Sequence, residues 1–121
     1  ENGRGLYSGF TFLAGTEQAL NDQQKRAAIQ DFIYRLEESQ EWVNKNYQSF
    51  GKELAKITGI PEEPATLAFK RKNATWTSIT DDVIATSQDT ADFYHKHQLL
   101  NQKIDVSGLF DREFNTKQAG N

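Results

Sequence analysis

Residues 29–57 constrain the fold most, because their apolar side chains recur at intervals of three and four residues over four heptads. This spacing places them on one face of an α-helix, whereas a strand would alternate with a period of two residues. With Ile33 as an a position, the other a positions are Gln40, Tyr47 and Leu54, and the d positions are Ile29, Leu36, Val43, Phe50 and Ile57. The pattern predicts one helix over residues 22–58, about 54 Å long, which must lie along a partner helix.

Two glycines bear on the length of this helix. Gly51 lies inside the heptad pattern, and Leu54 and Ile57 keep the same phase after it, so we expect the helix to continue through Gly51. An interior glycine costs about 1 kcal/mol relative to alanine, and Gly51→Ala is therefore expected to stabilise the fold. Gly59 is followed by Ile60 and Pro61, a combination that predicts the end of the helix.

The rest of the chain is predicted to hold one further long helix and three shorter segments. The second helix covers residues 80–104, with Ser78 or Thr80 as its N-cap. The shorter segments are a glycine-rich aromatic arm at 1–15, a connection at 61–77, and a short turn with a frayed tail at 107–121. Within the connection, residues 64–69 can form one or two helical turns, with Leu67 and Phe69 facing inward. The connection contains Lys70, Arg71 and Lys72, the main basic cluster, which we expect in a solvated loop.

Together the two long helices predict an all-α fold, an elongated antiparallel bundle in a single domain over residues 1–121. The apolar spacing of the second helix is interrupted in its middle by Thr86, Thr90 and His97. Gln40 is the one polar residue of the facing pattern on the first helix. These four residues are therefore predicted to form a polar layer in the core, of the kind that can fix register or oligomeric state.

Composition limits the classes of protein that this chain can belong to. Its hydrophobic fraction is 36 % and its mean hydropathy is −0.75, which suits a helical protein that completes its core with a partner. The net charge of −3 gives no electrostatic basis for binding nucleic acid. No apolar run is long enough to span a membrane. The absence of Cys and a start at Glu1 without Met favour an extracytoplasmic protein.

Catalytic and metal-binding motifs are not found in the sequence. His95 and His97 are the two histidines, and on a helix they point in directions about 200° apart, so they cannot bind one metal ion by themselves. The Glu37 and Glu41 pair belongs to a face, with Glu38 and Lys45, that we expect to be solvated. A di-iron site would need a Glu-x-x-His motif, which neither helix contains. We therefore expect no enzyme activity, no cofactor and no metal.

Aromatic residues away from the heptad pattern are the candidates for binding a partner. Tyr34 and Trp42 lie one above the other on the first helix, and Phe10 and Phe12 belong to the N-terminal arm. Tyr and Trp are enriched among the residues that dominate interface energies. The sequence thus favours a non-catalytic interaction module, a subunit or adaptor that binds another protein or a second copy of itself. The alternative is a small-molecule or ion-binding bundle that uses the polar layer of Gln40, Thr86, Thr90 and His97.

Overall fold

Helices account for all the regular secondary structure in the described part of the chain, which confirms the all-α prediction. The computed structural model describes residues 8–114 and residue 116. Parts of the predicted arm and tail, residues 1–7, 115 and 117–121, lie outside this description. The helices are α1 (Glu17–Leu20), α2 (Gln23–Lys45), α3 (Tyr47–Thr58), α4 (Glu62–Lys72), α5 (Asp81–Lys96) and a 3-10 turn (Ser107–Leu109).

The chain divides into two compact units, which are described separately. The first unit contains residues 8–23 and 78–114, and the second contains residues 24–77 and 116. Val83 and Val106 are buried in the first unit, and Ile33, Val43 and Ala65 in the second. The prediction of one domain over residues 1–121 stays a prediction.

The predicted helix over residues 22–58 is broken at Asn46, so the prediction of one continuous helix is wrong. Asn46 has φ −130° and ψ 36°, outside the helical region. Its side-chain amide and its backbone N–H both donate to the carbonyl of Trp42, at 2.9 Å each. The Asn46 side chain thus shares the carbonyl that its own backbone N–H bonds, a local contact typical of asparagine at helix ends, and α2 ends one residue earlier.

Helices α3 and α4 pack against each other as a hairpin in the second unit. Gly59 ends α3 at φ 74°, and its N–H donates to the carbonyl of Ala55, which confirms the predicted stop. Gly51 is buried where α3 meets Thr66 of α4, and the rings of Phe50 and Phe69 lie edge to face at 4.6 Å. Gly51 is helical as predicted. Because it has no side chain, α3 and α4 can approach each other closely at this residue.

Residues 62–72 form one helix, longer than the one or two turns predicted around residues 64–69 within the connection at 61–77, and Leu67, predicted to face inward, is exposed. Glu62 and Glu63 lie in the first turn of α4 and Lys70, Arg71 and Lys72 in the last, an order of charges that the helix dipole favours. The basic cluster is therefore the last turn of a helix and not a loop. Asn73 ends α4 in the left-handed conformation, with φ 38°.

In the first unit, α5 ends at Lys96, eight residues before the predicted end at residue 104. Its start is as predicted, since the Thr80 hydroxyl accepts a hydrogen bond from the Val83 N–H. At the other end, Gln98 has φ 59°, and the Leu99 N–H donates to the carbonyl of Tyr94 at 2.9 Å. This is a Schellman-type ending, in which the left-handed position is usually a glycine. Because glutamine occupies it here, the sequence gives no signal for the end of the helix.

Gln98→Gly should raise the free energy of unfolding by about 0.5–1 kcal/mol, because glycine adopts the left-handed conformation without strain. Urea unfolding followed by circular dichroism measures the effect. Gln102→Gly, at another exposed position with no positive φ, is the control and should be neutral or destabilising. If the two changes altered the free energy of unfolding equally, the left-handed conformation of Gln98 would not be a source of strain.

A single glutamine anchors the segment that follows α5. Gln88 Nε2 donates to the carbonyl of Ile104 at 2.8 Å, and Gln88 Oε1 accepts from the Val106 N–H at 2.9 Å. The Gln88 amide also donates to Asp92, which pairs with Lys103 at 3.5 Å. These contacts hold residues 103–106 along α5, where a further stretch of helix was predicted.

Candidate partner-binding surface

The strongest candidate surface is a shallow concavity of about 500 Å³ between α2 and α3. We call it the Trp42 groove. Trp42 is half exposed and Val43 is buried, while Phe50 is contributed by α3 from beyond the break at Asn46. The residues that line the groove are Arg35, Glu38, Ser39, Trp42, Val43 and Phe50.

The helical period explains the α2 side of the groove. Arg35, Ser39 and Trp42 are spaced by four and three residues, so they lie on one face of the helix. The Ser39 hydroxyl donates to the carbonyl of Arg35 at 2.7 Å and is thereby oriented. Phe50 follows Val43 by one heptad and lines the same concavity from α3.

Opposite charges border the Trp42 groove. Arg35 Nε donates to Asp31 Oδ2 at 2.7 Å, and the hydrogen bond and charge of Asp31 raise the pKa of Arg35. Since the Arg35 side chain is 73 % exposed, its guanidinium remains accessible to a ligand. Glu38, also at the groove, is exposed. The groove thus offers an apolar centre, one cation and one carboxylate.

Only one of the four predicted partner-binding residues lines this groove. Trp42 does, whereas Tyr34 is partly buried and is not among the lining residues. Phe10 and Phe12 belong to the first unit, where Phe12 lies 5.4 Å from Phe110 and 6.0 Å from Phe10, ring centroid to centroid. Phe12 remains 47 % exposed, so this aromatic cluster keeps an accessible edge.

The residues of the predicted polar layer make local contacts. Gln40 donates to Asn44 Oδ1 at 3.0 Å, and Asn44 donates to the carbonyl of Ala74 at 2.7 Å, which ties α2 to the segment after α4. In the other unit, the Thr90 hydroxyl donates to the carbonyl of Thr86. His97 lies 4.3 Å from Phe93, ring to ring. Thr90 and His97 are exposed, so the predicted burial of these two side chains is not observed.

Two other predictions about exposure are wrong. Glu37 was placed on a solvated acidic face, but its side chain is completely buried, while Glu38 and Glu41 are exposed. Glu37 lies one helical turn after buried Ile33 and so on the same face of α2. Ile57, assigned to the heptad pattern, is 81 % exposed in the last turn of α3.

Within residues 8–114, no three His, Asp or Glu side chains are grouped so that they could hold a metal ion. None of the helices in this range combines the length and the hydropathy that crossing a membrane requires. A second shallow concavity, about 440 Å³, lies at the end of α5 beside His95 and Gln98.

Comparisons with protein-family models, with curated proteins and with solved structures gave no match. The function is therefore inferred from the residues of this chain alone.

Proposed function

We propose that the protein is a non-catalytic interaction module, a subunit or adaptor that binds another protein through the Trp42 groove. The observation that carries the proposal is Trp42 itself, a large aromatic side chain that is 50 % exposed beside a buried floor at Val43. Trp and Arg are among the residues most enriched where interfaces have their largest energies. In the Trp42 groove, Arg35 lies on the same helical face as Trp42.

The small number of buried apolar side chains supports the same proposal. Among the described residues, five apolar side chains are buried, and eleven large apolar side chains are exposed. Isolated exposed apolar residues are ordinary, but Trp42 and Phe50 line one concavity. A protein partner is the occupant that suits an open, shallow surface of this kind, whereas small molecules favour enclosed pockets. We propose no role in binding nucleic acid, in keeping with the net charge of −3.

The alternative function, a small-molecule or ion binder, has less support. It relies on a polar layer of Gln40, Thr86, Thr90 and His97, but Thr90 and His97 are exposed. The hydrogen bonds of Gln40 and Thr90 are made to neighbouring residues of the same unit.

Trp42→Ala should weaken partner binding by at least about 30-fold, corresponding to the 2 kcal/mol or more that a central interface residue contributes. A photo-crosslinking residue at Ser39 in the full chain, expressed in its source cells, identifies the protein that contacts the groove. Titration of the purified chain with that purified protein then gives the dissociation constants of the wild type and of Trp42→Ala.

Leu109→Ala is the matched control, because Leu109 is 75 % exposed and lies in the other unit. It should leave binding unchanged. Circular dichroism verifies that both variants keep their helices. A crosslinked protein that binds Trp42→Ala as tightly as the wild type, or no crosslinked protein at all, would refute the proposal.

A further inference from the structure

The outer face of α4 has a pattern of charge that is complementary to itself. Glu63, Leu67 and Arg71 are spaced by four residues, so they form one row along the helix, and all three are exposed. The opposite face of α4 carries Ala65, which is buried, and Phe69, which packs against Phe50. The row therefore points away from the α3–α4 contact.

We propose that the row formed by Glu63, Leu67 and Arg71 is a docking site for a second copy of this chain. Leu67 lies midway between the carboxylate and the guanidinium. If two α4 helices meet antiparallel at Leu67, Glu63 of each copy faces Arg71 of the other. Such an interface is isologous: the same surface serves both copies and the contacts occur twice.

Three observations support a second copy as the occupant. When the helix pairs with itself in the antiparallel direction the charges of the row are complementary, whereas in the parallel direction like charges would meet. Neither Glu63 nor Arg71 takes part in an ion pair within the described residues. Leu67 is 41 % exposed at the centre of the row, beside the small side chain of exposed Ala68, which permits close approach.

The helix dipole alone does not account for this arrangement. It favours acidic residues in the first turn and basic residues in the last, as α4 has. It gives neither charge a partner ion, which an antiparallel second copy would provide. Lys70 Nζ, next to Arg71 in the sequence, lies 5.5 Å from the Tyr47 ring centroid within the same chain, whereas Arg71 continues the row of Glu63 and Leu67.

This self-association concerns a different face from the Trp42 groove, so either proposal can fail without the other. The exposed ion pairs contribute little individually, and we expect a weak dimer whose association decreases as the salt concentration rises.

Sedimentation equilibrium of the full chain over a range of concentrations tests the proposal. Glu63→Arg and Arg71→Glu should each weaken self-association by about tenfold, because two attractive contacts become two repulsive ones. An equimolar mixture of the two variants should associate again as a heterodimer, since both contacts then join opposite charges. This recovery also excludes misfolding as the cause of the loss.

Lys52→Glu, a charge reversal at an exposed position of α3, is the matched control and should not change the association. Leu67→Gln should weaken it, while Leu99→Gln, at a leucine that is 68 % exposed in the other unit, should not. A monomer at every concentration, or a dimer that Glu63→Arg, Arg71→Glu and Leu67→Gln leave intact, would overturn the proposal. So would two weakened variants that fail to associate when mixed.

Discussion

Gly51→Ala should lower the free energy of unfolding by about 1–3 kcal/mol, the usual range for forcing extra atoms into a packed contact. An ideal Cβ at residue 51 would lie 2.7 Å from Thr66 Cα and 2.9 Å from Thr66 Cβ, and it would overlap Thr66 Oγ1. Because one of these atoms belongs to the backbone of α4, a side-chain rotation cannot remove the clash. The two helices would have to separate. Urea unfolding of the full chain measures the loss.

Gly108→Ala is the control for this prediction, because nothing lies within 4 Å of a Cβ built at Gly108. It should be close to neutral. The double variant Gly51→Ala with Thr66→Ala should recover only part of the loss, since the contact with the Thr66 backbone remains. If Gly51→Ala instead stabilised the protein, as helix propensity alone predicts, α3 and α4 would not approach as closely as described.

Gln88→Ala should lower the free energy of unfolding by about 2 kcal/mol, because the Ile104 carbonyl and the Val106 N–H both lose their partner. Val106 is buried, so water cannot readily replace the lost acceptor. Amide hydrogen exchange should show the loss locally as faster exchange at Val106.

Gln88→Glu separates the two hydrogen bonds of this amide. The carboxylate can still accept from the Val106 N–H, but it cannot donate to the Ile104 carbonyl, and it lies beside Asp92. Gln88→Glu should lower the free energy of unfolding about as much as Gln88→Ala does. Amide hydrogen exchange at Val106 should accelerate less in Gln88→Glu than in Gln88→Ala. Gln102→Ala, an exposed glutamine of the same unit, should have no effect. Unaltered stability and exchange in Gln88→Ala would refute the anchoring role.

The all-α class, the helix stop at Gly59 and the N-cap at Thr80 could be predicted from the sequence, because each depends on local chemistry. The break at Asn46 could not be predicted from apolar spacing, since it arises from a polar side chain that bonds the preceding turn. For α4, the order of charges from Glu62 to Lys72 was an available signal, and it indicates a helix more clearly than a loop.

The candidate site was predictable only in part. The face of α2 that carries Trp42 follows from the helical period, and Phe50, one heptad after Val43, belongs to the same pattern. The burial of Glu37 and the close approach at Gly51 depend on how separate helices pack. Periodicity gives the face on which a residue lies, but it does not say which partner covers that face.

The contact between Gly51 and Thr66 has a consequence for the order of folding. The segment from Gly51 to Thr66 is half as long as the segment from Asn44 to Ala74, whose ends are 30 residues apart and joined by a hydrogen bond. Halving a loop lowers its closure cost by only about 0.6 kcal/mol, but this hairpin also has its turn residue in place at Gly59. Contacts between residues near in sequence form fastest. We expect the hairpin to form before α2 docks, so that changes at Gly51 slow folding more than they speed unfolding.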